Sequence, residues 1–102
     1  MRLMHIRYFI VLTEELHFTR AARRCHISQP SLTNAIKSLE RSLGGALFTR
    51  GKPVAMTRFG KKVKPLLERA YRTIERAKFE PPVANAAPAG APVPQRDACE
   101  TL

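Results

Sequence analysis

The chain has 102 residues, enough for one small domain. It carries 18 Lys and Arg against 8 Asp and Glu, a formal charge of +10. Of these, 17 basic and 6 acidic side chains fall in residues 1–80, so the cation excess sits in the folded part and points to a polyanionic partner. No stretch approaches the length of a membrane span, and no Trp-anchored amphipathic segment suits a membrane surface. The apolar run Tyr8 to Leu12 lacks both a clean basic approach and a small-residue cleavage site. No secretory signal is therefore read, and a cytoplasmic location is expected. Two cysteines, Cys25 and Cys99, make no disulfide framework.

Leu3, Ile6, Phe9, Ile10 and Leu16 recur at helical spacing and predict a first helix from Arg2 or Leu3 to about Glu15. It should pack across the next two helices and complete a three-helix core. Thr19 is suited to cap a second helix. That helix shows a small-residue face of Ala21, Ala22 and Cys25, and ends near Arg24 or Cys25. Cys25 reads as a small buried hydrophobe. His26 and Ile27 make the turn.

Ser28 is the next cap, and Pro30 lies in the first turn of the third helix, where its missing N–H does no harm. Leu32, Ala35, Ile36, Leu39 and Leu43 form one apolar stripe. Pro30, Asn34, Lys37 and Arg41 lie on the opposite face, flanked by Thr33. A short capped helix, a tight turn and a second helix with such a polar face fit a helix-turn-helix whose second helix reads DNA.

Gly44-Gly45 stops this helix. Leu47-Phe48-Thr49-Arg50 and Val54-Ala55-Met56 predict two short strands around Gly51-Lys52-Pro53, a β-hairpin wing. Alternation puts Leu47 or Phe48, and Val54 or Met56, against the core. Arg50 and Lys52 stay free to reach DNA, the alternative for Arg50 being a structural salt bridge. Glu40 is expected to pair with a nearby Arg or Lys.

Thr57 caps a last helix to about Lys78, with Val63, Leu67, Ala70, Ile74 and Ala77 in an approximate heptad widened by Leu66 and Tyr71. This stripe either pairs with a second copy or folds back on the chain's own core. Pro65 predicts a bend. From Pro81 onward Pro and Ala dominate and periodicity ends, which reads as a disordered tail. The final Cys99-Glu100-Thr101-Leu102 has only the outline of a prenylation box.

A spaced series of residues carries a family resemblance: Phe18, Ala21-Ala22, Ser28-Gln29-Pro30, Leu39-Glu40, Leu43-Gly44, Leu47-Phe48, Arg50, and Thr57 followed by Gly60. Over roughly the first 80 residues the chain resembles the N-terminal DNA-binding domain of LysR-type transcriptional regulators. The implied architecture is mainly α. It comprises a winged helix-turn-helix over 1–58 with its motif at 18–37, a linker and dimerisation helix over 59–79, and a disordered tail over 80–102. A full-length member would continue into an effector domain far larger than this tail. The sequence therefore reads as a truncated member, a fragment or a short stand-alone DNA binder.

The resemblance implies that the positions of Gln29, Pro30 and Thr33 lie at the major groove. Gln29 suits a bidentate contact with adenine, and Pro30 and Thr33 suit a thymine methyl. Asn34 suits a base edge or a phosphate, and Ser31 belongs to the same set. Lys37 and Arg41, further along the helix, suit phosphates, as do Thr19 and Arg20. The linker helix implies a homodimer through Val63, Leu67, Ala70 and Ile74, or a heterodimer with full-length relatives. His5, His17 and His26 are scattered without metal-ligand spacing, and Ser28 and Ser31 lack triad partners. No cofactor and no enzymatic activity are expected.

Overall fold

The computed structural model describes residues 1–82. The expectation of a disordered tail over 80–102 falls almost wholly outside them, and the reading of Cys99 wholly so. Four helices follow in order: α1 (Leu3–Glu15), α2 (Phe18–Arg24), α3 (Gln29–Leu43) and α4 (Arg58–Ala77). The first three pack mutually, and α4 lies along α1.

The core is apolar throughout the described residues. Phe9, Leu12, Leu32, Leu39 and Leu47 are its largest fully buried side chains. Ala21, Ala22 and Cys25 are buried as the small face of α2 and let α1 and α3 come close. Leu32, Ala35, Ile36 and Leu39 are the buried stripe of α3, with Leu43 at its margin. Burial pushes the Cys25 thiol above its ordinary range, which disfavours the thiolate.

Two sequence expectations about helix ends change. The N-cap of α2 is His17, whose Nδ1 accepts from the Arg20 N–H at 3.2 Å, so Thr19 falls inside the helix. Leu16 leaves the buried stripe of α1. It turns left-handed at φ 50°, caps the helix through its N–H on the Leu12 carbonyl, and is exposed. Tyr8, Val11 and Leu12 complete the buried face instead. The other caps are as read. Ser28 accepts from the Ser31 N–H, Thr57 accepts from the Gly60 N–H at 2.9 Å, and Gly44 ends α3 at φ 81°.

The two-stranded wing is reduced to one antiparallel bridge, Phe48 to Met56. Thr49 N–H donates to the Ala55 carbonyl at 2.8 Å and Thr57 N–H to the Leu47 carbonyl at 3.0 Å. The next ladder bond is lost because Thr49 Oγ1 takes the Ala55 N–H, at 3.1 Å. The hairpin is held by its apolar residues rather than by a ladder. Leu47 and Phe48 are both buried, Val54 and Met56 half-buried. Phe48 packs against Phe9 at 5.6 Å between ring centres and edge-on to Phe18 at 6.4 Å. Glu40 fastens the hairpin to α3, its Oε2 accepting from the Leu47 N–H at 2.7 Å. Its partner is thus a backbone amide, where a cation was expected.

In α4 the apolar residues divide. Leu67 is buried, with Val63 and Tyr71 packed against the same core. Leu66, Ala70 and Ile74, one helical row over, are exposed. The helix continues through Pro65.

Candidate nucleic-acid interface

The polar face of α3 is outward. Gln29, Pro30, Ser31, Asn34, Lys37 and Arg41 are exposed and Thr33 is half-buried. Geometry splits them into two rows. Gln29, Thr33, Lys37 and Arg41, spaced four residues apart, share one groove with Thr49 and Arg50 of the hairpin. Phe18 and Phe48 floor this groove. Ser31 and Asn34 face the other way, into a smaller cleft against His5 and Tyr8 of α1.

α2 joins the first row through one side-chain bond. Thr19 Oγ1 donates to Gln29 Oε1 at 3.2 Å. Arg20 is exposed but engaged, its Nε 3.3 Å from Glu15. Arg24 meets Glu14 at 2.9 Å and Glu15 at 3.0 Å. The Arg24 hydrogen bond, aided by Arg20, holds the Glu15 carboxyl below its usual range. Arg50 and Lys52 are exposed in the hairpin and make no ion pair among the described residues. Lys52 and Pro30 lie outside both clefts.

Two features escaped the sequence reading. His5 lies beside Ser31 and Asn34, with its Nδ1 buried and unpartnered, and burial lowers its pKa. No periodicity marks this juxtaposition, which depends on how α1 crosses α3. Arg58, Lys61 and Lys62 are exposed on the first turns of α4, and their clustering in sequence was the available signal. Among the described residues no group of His, Cys, Asp or Glu could hold a metal ion, and no helix is long and apolar enough to cross a membrane.

Comparison with known proteins converges on this architecture. The chain is 49% identical over 61 residues to the HTH-type transcriptional regulator CatR of Pseudomonas putida, covering 60% of this chain and 21% of that one. It is 48% identical over 61 residues to the Hca operon transcriptional activator HcaR of Escherichia coli K12, covering 59% and 21%. The chain thus spans about a fifth of the length of these relatives. Its fold matches the BenM DNA-binding domain in complex with benA site 1 DNA, with TM-score 0.72 and 35% identity over 76% of this chain and 89% of that one. It also matches the CbnR DNA-binding domain in its DNA complex, with TM-score 0.73 and 29% identity over 76% and 91%. The profile of the bacterial regulatory helix-turn-helix proteins of the lysR family matches residues 3–61, more than half of the chain, and the chain belongs to that family.

Proposed function

We propose that the chain binds double-stranded DNA sequence-specifically as a transcriptional regulator, with α3 in the major groove and the hairpin beside it. The observation that carries this is the row Gln29, Thr33, Lys37 and Arg41, turned out of the core along one edge of α3 and continued by Arg50. A helix of this width fits the major groove, and the side chains of its first turns meet the base edges. Gln29, Pro30 and Thr33 contact bases. Asn34 and Ser31 contact the adjoining edge or phosphate. Lys37, Arg41, Arg50 and Lys52 contact phosphates. Arg20 stands at the same backbone through the guanidinium nitrogens that Glu15 leaves free, and Thr19 reaches the site through its bond to Gln29. Similar domains, those of BenM and CbnR, have been solved in complex with DNA, which supports a DNA partner.

A homodimer is proposed through α4. Val63 and Leu67 hold the helix on α1, which leaves Leu66, Ala70 and Ile74 as the row for a second copy. The same exposed row also suits a mixed dimer with other members of the family.

Selection from a random DNA pool, with the molar mass measured in the same buffer, tests this. The expected result is a partly palindromic sequence bound by a dimer, and Gln29→Ala flattening preference at one position per half-site. Recovery of sequences no different from the starting pool would overturn it.

A further inference from the structure

The contact between Thr19 and Gln29 carries information beyond docking. Helical threonines commonly return their hydroxyl proton to a carbonyl one turn back. Thr13 does so to the Ile10 carbonyl at 2.6 Å, and Thr73 to the Arg69 carbonyl at 2.8 Å. Thr19, the second residue of α2, has no carbonyl of its own helix one turn back, and its proton crosses to Gln29 Oε1 on α3. Both residues are exposed, and Gln29 lines the groove. Arg20, next to Thr19 in sequence, is engaged with Glu15.

Resting on the DNA-binding role proposed above, we infer that Thr19 is a positioning residue that sets which base edge Gln29 reads. A bidentate contact to adenine needs both ends of the amide: the oxygen accepts from N6 and the nitrogen donates to N7. With one lone pair of its oxygen engaged by Thr19, Gln29 keeps its NH2 group as the wholly unengaged end of the amide. Two donors suit an edge made of acceptors. Guanine offers N7 and O6, and thymine offers O4. Adenine sets its own N6 donor against the amide. The pair therefore reads guanine or thymine in preference to adenine, a correction to the adenine contact that glutamine alone suggests.

The test compares four full-length chains in the same pool selection: wild type, Thr19→Val, Thr19→Ser and Gln29→Ala. Helical circular dichroism verifies that each is folded. Gln29→Ala first identifies the position that Gln29 reads. Wild type and Thr19→Ser are expected to select guanine or thymine there. Thr19→Val keeps the shape of threonine without the hydroxyl and frees the amide. Its preference should move toward adenine by roughly five- to a hundredfold in relative affinity, the range that one good bidentate contact spans. If Thr19→Val selects the same base as wild type, or weakens every sequence equally, the positioning role is overturned while the Gln29 position still upholds DNA reading. Adenine selected by wild type overturns it in the same way. If Gln29→Ala flattens no position, Gln29 reads no base and both fail.

Discussion

Gly60→Ala sets two effects of known size against each other. Gly60 is the third residue of α4, and replacing a helical glycine by alanine ordinarily stabilises by about 1 kcal/mol. Here a Cβ would collide with the backbone carbonyl of Leu47. That carbonyl has no freedom to move away. It accepts from the Thr57 N–H at 3.0 Å, its own residue donates to Glu40 at 2.7 Å, and the Leu47 side chain is fully buried. Overpacking against a fixed group costs about 1–3 kcal/mol, at the upper end when neither backbone can shift, so strain outweighs propensity, with a net loss of up to roughly 2 kcal/mol. For a domain of this size that lowers Tm by up to roughly 15 °C. Gly45→Ala is the control. Its Cβ would meet the Phe59 ring at 2.9 Å, but a side-chain ring can shift, and the cost should be small. Urea unfolding of both variants gives the answer through the midpoint at constant slope. A Gly60→Ala chain as stable as wild type would refute the placement of α4 against the hairpin.

Glu40→Ala should destabilise by about 1–3 kcal/mol by leaving the Leu47 amide unpaired, and Glu40→Gln by less; thermal unfolding measures both. The depressed pKa of Glu15 means that its contribution is present above the ordinary carboxylate range and is lost as pH falls through the lowered value. Glu15→Gln should thus narrow its Tm difference from wild type in acid. His5 behaves alike at higher pH, because burial disfavours its charged form. Stability is full above the ordinary histidine value near 6.5 and declines as pH drops below it, so a His5→Gln variant should show a flatter pH–Tm curve there. Ile74→Glu should halve the molar mass of a dimer and leave the Tm of the monomer unchanged, as sedimentation and calorimetry would register.

The helices and α3 in particular were legible because three signals coincide in the sequence: caps, a glycine stop and an apolar period near 3.6. What escaped is what depends on side chains meeting across elements. His17 caps α2 through a ring nitrogen, an acceptor that helix-start patterns seldom weigh, so Thr19 looked the better cap. Thr49 spends its hydroxyl on the Ala55 amide and breaks a ladder that the β-prone residues on both sides suggested. The anchor of Glu40 on the Leu47 amide follows from the path of the chain after Gly44, which composition does not encode. A single heptad stripe in α4 likewise cannot say which of its rows α1 covers. The structure gives Val63, Leu67 and Tyr71 to the core and leaves Leu66, Ala70 and Ile74 outside.

Insertion of α3 into the major groove is tested most directly by methylation interference on a selected site. Methyl groups at guanine N7 stand in the major groove and should abolish binding at a short cluster in each half-site. Binding that tolerates every N7 methyl would contradict it.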